Sequence, residues 1–323
     1  MSRRRHEDNH NYQLRGVAQA GSHIIAVGGG KGGVGKSFVS SNIAIFLANM
    51  GYKTTLVDLD LGSANLHTYM GQGQPQLCLG DVARKKSLVL EDVAIPTQFP
   101  NLSLVSGAND SLHMADANMQ ELTNLMRAVF YHQTDFTILD LSAGTHNTTL
   151  DFFLMAHDHV VTVTPEPSSV ENAYRFMKAC FYRKVRRFER QLHITKHIQK
   201  IMANSQENGV KSPADLLYVV SEKDQINGHR LKEVMAKLQF ELIVNQARTP
   251  ADHNLGGSMK TIIERYFGLP ARFLGHLEYS DTVWQSLRKH RPLLLEYPHT
   301  PLYNQLLRVT RNIAAPAAKK IVV

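Results

Sequence analysis

The sequence predicts an α/β protein with a mainly parallel sheet and helices on both faces. Three observations lead there. Short β-branched runs alternate with stretches of helical periodicity, the pattern of strand–helix–strand units. A ten-residue stretch with six glycines, GGGKGGVGKS (Gly28–Ser37), lies between the first such run and the first helix. Carboxylates close two later strands, at the sheet edge where open α/β sheets bind their ligands.

The elements follow in order. HIIAV (23–27) reads as a buried strand. After the glycines, Val39, Ile43, Phe46, Leu47 and Met50 share one helix face, and Gly51 ends that helix. KTTLVDLD (53–60) is a second strand; LSLVSG (102–107) and DFTILDLSAG (135–144) are two more strand-to-loop units. Between those two, Met119, Leu122, Leu125, Met126, Val129 and Phe130 form the apolar face of a helix. HVVTVTPEP (159–167) is a strand closed by prolines. A helix is expected over 168–190, opened by a capping box of Ser168 with Glu171. Its apolar stripe is Val170, Tyr174, Met177, Phe181, Val185 and Phe188. ELIVNQ (241–246) and RFLGHLE (272–278) complete the strands. The polar stretch 191–238 reads as a helical insertion in a single domain over 23–315, between a disordered lead-in (1–22) and a tail (316–323).

Composition narrows the class. A chain of 323 residues can bury a sizeable core, and 43% hydrophobic with 20% charged residues is a soluble balance. No apolar run approaches the roughly 18–20 residues of a membrane-spanning helix. The basic N-terminus lacks the apolar region of a secretory signal. Cys78 and Cys180 are far apart in no metal-like spacing, which suits a reducing compartment and hence the cytoplasm. The formal charge of +8 permits an anionic partner.

Two phosphate motifs overlap in the glycine stretch. Gly28, Gly30 and Gly33 satisfy the dinucleotide fingerprint, a cheap match among so many glycines. Gly30, Gly35, Lys36 and Ser37 satisfy the P-loop, which also demands a lysine and a hydroxyl at fixed positions. Backbone N–H groups and the helix N-terminus would cradle phosphates, Lys36 would reach the β- and γ-phosphates, and the Ser37 hydroxyl would bind Mg²⁺. Asp140 ends an apolar strand, where a carboxylate can hold that Mg²⁺ through water.

The other lysine, Lys31, is surplus to an ordinary P-loop. KGGVGKS resembles the deviant Walker A loop of the MinD/ParA family of ATPases. TTLVDLDLGSANLHTYMG is similar to that family's switch I, and FTILDLSAG to its Walker B and switch II. TLDFFLMAHDHVVTVTPEPSSVENAYRFMK looks most like its flagellar-number branch, the FlhG/FleN-like proteins. ELIVNQAR and LGHLEYSDTVWQSLRKHRPLLLEYP match the base-binding segment and the C-terminal end, so the resemblance spans about 23–300.

The resemblance implies ATP and Mg²⁺ as cofactors, slow switch-like ATP hydrolysis and an ATP-dependent homodimer. It implies a nucleotide cradle of Gly30, Gly32, Gly33, Val34, Gly35, Lys36, Ser37 and Phe38. Lys31 would reach the partner's nucleotide and Asp60 would activate the attacking water. Asp58 would lie near the metal, with capping of the following turn as its alternative role. Gly144 would offer its N–H to the γ-phosphate, and Asn245 would bond adenine. Switch II departs from the family at Ser142-Ala143. The implied task is spatial organisation in a bacterial cell, of flagella, chromosomes or other cargo, or the division site. A regulatory protein partner and a polar, nucleoid or membrane location go with it.

Two other functions compete. A P-loop metabolic subunit of the amide-ligase or reductase type would need, in its iron-protein form, paired cysteines. A Rossmann oxidoreductase would leave Lys36 and Ser37 idle. The histidine pairs HDH (157–159) and HITKH (193–197) lack a third ligand and read as structural or solvated. Arg183, Arg186, Arg187 and Arg190 recur at helical spacing opposite the Phe181/Val185/Phe188 stripe, with Lys184 nearby and Lys196 and Lys200 beyond. They are expected to face solvent together, as a patch for DNA backbone or acidic lipid, with only Glu189 offsetting them.

Overall fold

The computed structural model describes residues 21–61, 64–107 and 117–321, and for 316–321 the backbone alone. Of the lead-in expected over 1–22, residues 1–20 lie outside the described residues, as do Gly62 and Ser63 of the switch I stretch, whereas Ser22 is buried and donates its N–H to the His132 carbonyl.

Eight strands form one sheet: β1 (His23–Gly28), β2 (Thr54–Leu59), β3 (Ile95–Pro96), β4 (Leu102–Val105), β5 (Phe136–Leu141), β6 (Asp158–Val163), β7 (Phe240–Ala247) and β8 (Ala271–Glu278). Their order is β3-β4-β2-β5-β1-β6-β7-β8. Every pairing is parallel except β3 with β4. The helices that bear on the site are α1 (Lys36–Asn49), α2 (Met119–Phe130), α3 (Asn147–Met155), α4 (Pro167–Gln191), α5 (Thr195–Ala203), α6 (Pro213–Lys223), α7 (Gln225–Ala236), α8 (Pro250–Phe267) and α9 (Pro301–Ile321). Helix α9 thus continues into the stretch expected to be a tail, and α5, α6 and α7 occupy the stretch read as an insertion.

Two apolar clusters sandwich the sheet. One gathers α1 and α9 on one face through Val39, Ile43, Leu306 and Val309. The other gathers α3, α4 and α8 through Phe153, Phe176, Phe181 and Ile263. Helix α1 is buried on almost every side, because α9 covers the flank that a single apolar stripe would leave open. In α2 only Leu125 and Val129 are buried, while Met119 and Phe130 are exposed.

Helix α4 departs from its expected details. No capping box forms: Pro167 takes the first helical position, where its fixed φ suits the helix and its missing N–H costs nothing. Ser168 therefore sits inside the first turn. The buried face runs through Ala173, Phe176, Met177, Cys180, Phe181 and Val185, whereas Val170, Tyr174 and Phe188 are half-buried. The small side chains at 173 and 180 let the helix close onto the sheet, and a stripe drawn through large residues misses them.

Candidate nucleotide site

Strand order places the chemistry. Strand β5 lies between β1 and β2, so Asp140 is flanked in register by Val27 on one side and Asp58 on the other. A dinucleotide fold keeps its first two strands adjacent. The inserted β5 brings a carboxylate up to the first residue of α1, Lys36, and so gives that lysine a role. The Rossmann reading falls on this arrangement.

The Gly28–Ser37 loop is shaped by close approaches. Gly33 (φ 79°) and Gly35 (φ 92°) adopt the left-handed backbone that only glycine takes without strain. A Cβ on Gly30 would lie 2.0 Å from the Asn172 carbonyl oxygen of α4, so this helix presses directly on the loop. Asn245, at the end of β7, donates Nδ2–H to the Val34 carbonyl at 2.9 Å. The side chain expected at the base is thus also a clamp on the loop.

Lys36 is buried, which lowers its pKa, while the nearby charges of Asp140 and Asp60 pull it back up. Asp140 is 1% exposed, and burial followed by the Asp58 charge pushes it up to about 7, against hydrogen bonding from Ser37 and the charge of Lys36. Its Oδ1 has no hydrogen-bond partner. A buried carboxylate oxygen with no donor, beside a serine hydroxyl and a second carboxylate, fits a hard divalent cation such as Mg²⁺.

Asp60 is half-buried and also raised by burial, with Lys36 opposing. Asp58, the neighbour of Asp140 in the sheet, fills the alternative role the sequence left open and caps the following turn. Its Oδ1 accepts the Asp60 N–H at 3.2 Å and its Oδ2 the Leu66 N–H at 2.9 Å. Burial still raises it, to about 6. Gly144 (φ 94°) does not present a free N–H either: it donates to the Gly29 carbonyl at 3.2 Å and ties switch II to the loop.

Lys31 Nζ lies 2.9 Å from Glu166 Oε2 and 3.1 Å from Ser168 Oγ, both at the start of α4. Neither pairing is readable in the sequence, where Ser168 stands out only as a helix cap and Glu166 belongs to no motif, both about 135 residues away. Tyr69, in a short helix within the switch I stretch, carries no sequence signal; burial raises its pKa and the Asp140 charge adds to it.

The arginine cluster is smaller than its spacing suggests. Arg183 is half-buried and bidentate to Asp151 of α3, at 2.9 and 2.6 Å, with Asn147 at 3.0 Å. Its charge is neutralised by a residue the helical wheel cannot show. Lys184 is held down to about 8 by burial and by Arg187 and Lys237. Arg186, Arg187 and Arg190 are exposed, together with Lys196 and Lys200. In HDH, His157 accepts the Ile24 N–H and stacks on His23, and Asp158 pairs with His23 at 2.6 Å.

A family model described as ParA, the NUBPL iron-transfer P-loop NTPase, matches residues 21–188. That is just over half of the chain, and the chain belongs to this family of P-loop NTPases. Antiactivator FleN of Pseudomonas aeruginosa is 23% identical over 280 residues, covering 86% of this chain and 81% of that protein. The flagellum site-determining protein YlxH of Helicobacter pylori is 34% identical over 158 residues, about half of each chain (48% and 52%). Among solved structures, the septum site-determining protein MinD complexed with Mg-ADP from Pyrococcus horikoshii OT3 shares the fold. Its TM-score is 0.62 at 21% identity, over 93% of this chain and 98% of that one. The iron-protein alternative lacks its ligands. The chain's two cysteines are both buried, and burial holds the Cys180 thiol well above its usual pKa, away from the thiolate a cluster binds.

Among the described residues no helix is long and apolar enough to cross a membrane.

Proposed function

We propose that this chain is a MgATP-driven switch that dimerises in its ATP state and governs spatial organisation in a bacterial cell, in the manner of the flagellar regulators it resembles. The observation that carries the reading is the orphaned Asp140 Oδ1 beneath the glycine loop, with Lys36 and Asp60 converging on the same edge.

In this reading the backbone N–H groups of Gly30, Gly32, Gly33, Val34, Gly35, Lys36, Ser37 and Phe38 face the phosphates. ATP with Mg²⁺ supplies the transferable γ-phosphoryl group and the charge neutralisation that phosphoryl transfer needs. Ser37 and Asp140 hold the cation. Asp60 orients the attacking water, and the Lys36 charge favours its ionised form against burial. Asn245 meets the base while its Nδ2 braces the loop. Gly144 exchanges its bond to Gly29 for the γ-phosphate, which makes switch II responsive to the nucleotide. Lys31 leaves Glu166 and reaches the partner's phosphates.

Helix α4 links input to output. Its first turn holds Lys31, its flank presses on Gly30, and its far end carries Arg186, Arg187 and Arg190. With 25 residues it spans roughly 37 Å at the usual rise. Its exposed arginines are offered to DNA backbone or an acidic membrane surface, and dimerisation doubles them. A regulatory protein partner completes the switch.

The test is Lys36→Ala, assayed for MgATP binding and turnover. Loss of either is expected, with wild-type turnover well below the median enzyme value of about 10 s⁻¹. Undiminished ATPase activity in that variant would remove the site from consideration.

A further inference from the structure

The capping box at the start of α8 closes with Thr249 and Asp252, which hold one another's backbone N–H groups. The next residue is His253. Its ring stacks on that of His276 in β8, with centroids 3.9 Å apart and planes 7° apart. Glu278 follows two residues later on the same strand.

A bulge brings these groups together. Leu274 and Leu277 are three residues apart, yet both are buried in the cluster on the α1 side of the sheet. Strict alternation would send them to opposite faces. The register of β7 against β8 shifts at this point, and Gly275 absorbs the extra residue at φ 148°. His276 and Glu278 therefore turn to the α8 side, the face on which Phe273 packs against Gly256.

We infer that His253, His276 and Glu278 form a binding site for a late first-row divalent ion, with Zn²⁺ the best match. One ligand atom from each lies within 4.8 Å of the others. Tetrahedral zinc with bonds of about 2.1 Å needs donors roughly 3.4 Å apart, so closure draws the ligand atoms in by about an ångström and a half and tilts the two rings out of their parallel stack, so that both in-plane lone pairs point at one ion. Two imidazoles and one carboxylate are a common zinc donor set, and they leave a fourth position for water or a partner's ligand. Among the described residues, neither imidazole nor the Glu278 carboxylate spends itself on a hydrogen bond or ion pair.

Arg308 adds a positive charge nearby, and Glu278 opposes it. The ion would staple the edge strand β8 to the first turn of α8. The site stands apart from the phosphate loop, since Asn245 turns to the opposite face of the sheet to reach Val34.

The experiment uses the full chain, stripped with chelator, free of nucleotide and in excess Mg²⁺, titrated with Co²⁺ and then Zn²⁺. We expect one Co²⁺ per chain with the strong visible absorption of a low-coordinate nitrogen/oxygen site, displaced by Zn²⁺. His253→Gln and His276→Gln should each weaken binding at least about tenfold. Zn²⁺ should raise the melting temperature of the parent but of neither variant. The His193→Gln/His197→Gln control should bind as the parent does. Should either glutamine variant fail to fold by circular dichroism, Glu278→Gln at the strand end carries the comparison, again with weaker binding expected. Unchanged affinity in the folded variants, or a weakly absorbing six-coordinate Co²⁺ spectrum in the parent, would overturn the site.

Discussion

Lys31 and Glu166 of the same chain are ion-paired at 2.9 Å, with Ser168 accepting a second bond from the lysine. The lysine proposed to act on a partner's nucleotide is therefore parked at home. Both side chains are substantially exposed, 41% and 59%, so the pair is worth only about 0–1 kcal/mol and yields readily to a phosphate. We expect Lys31→Ala to bind MgATP yet stay monomeric, and Asp60→Ala to accumulate as an ATP-bound dimer. Glu166→Gln should shift the dimerisation constant by less than about fivefold. Light scattering with ATP decides this; a monomer in every case, Asp60→Ala included, would end the role of Lys31.

Asp140 illustrates a cost carried for function. Its folded pKa of about 7 stands above the ordinary 3.8, so its charge opposes folding above pH 7 and the penalty fades as pH falls toward the ordinary value. Asp140→Asn, free of nucleotide and metal, should be more stable than the parent at pH 8 by on the order of 1–3 kcal/mol, and the gap should narrow at pH 5. The same variant should lose ATP turnover. Urea unfolding at the two pH values, paired with a turnover assay, checks both halves; an Asn variant less stable than the parent at pH 8 would contradict the electrostatic account.

These pairs also mark what the sequence could convey. Lys36, Ser37, Asp140 and the strand-turn-helix around them were legible because a phosphate loop constrains residue type and spacing locally. So were the strands, whose β-branched runs need no knowledge of neighbours. The bond of Lys31 to Glu166 and that of Arg183 to Asp151 were not, since each joins segments that only the sheet order brings together. The helical wheel placed Arg183 in solvent because a wheel knows only its own helix. The histidine cluster stayed hidden for a related reason. A bulge reverses the facing of His276, and period-two alternation cannot see a bulge.

Two glycines of the loop should behave in opposite ways. At Gly30 an added Cβ meets the backbone of Asn172, which cannot swing aside, whereas at Gly32 it meets nothing within 4 Å. Gly30→Ala should therefore destabilise by about 1–3 kcal/mol, or push α4 off the loop and weaken nucleotide binding. Gly32→Ala should melt within about 0.5 kcal/mol of the parent. Thermal melts with and without ATP separate the cases; equal behaviour of the two variants would refute the close contact of α4.

His159 gives a signed pH effect. It is 3% exposed, neither ring nitrogen has a hydrogen-bond partner, and burial lowers its pKa to about 3. The unfolded chain takes up a proton near the ordinary 6.5 while the folded chain refuses it. Below pH 6.5 this residue thus costs stability by up to about 1.4 kcal/mol per pH unit, until the folded ring titrates. Asp58, Asp140 and Glu241 are raised acids and act in the opposite direction over the same range. The difference between His159→Phe and the parent isolates the histidine: the phenylalanine variant should gain relative stability as pH falls from 6.5 to 4. A pH-independent difference would mean that the ring finds a partner when charged.

The exposed arginines of α4 give the last test. Arg186, Arg187 and Arg190 project from the end of a helix whose start holds Lys31, and Lys196 and Lys200 continue the charge into α5. Glu189 lies between them and its carboxylate feels Arg186 and Arg190, so it offsets one charge of the five. Backbone phosphates would be held without sequence preference, and binding would weaken steeply with salt. Nonspecific duplex DNA or anionic vesicles should bind better with ATP than with ADP, because the dimer presents two patches. Replacing Arg186, Arg187 and Arg190 by Glu should abolish that binding while leaving ATP affinity intact. Neutralising the same three with Gln should lower the DNA salt slope by about 2–3 per chain. Arg183→Gln is the informative contrast: it breaks the bond to Asp151 that ties α3 to α4, so it should lower the melting temperature and leave the salt slope unchanged. A parent that binds neither surface at low salt would make the arginines a solvated face, and a triple Glu variant that binds as well as the parent would place the contact elsewhere.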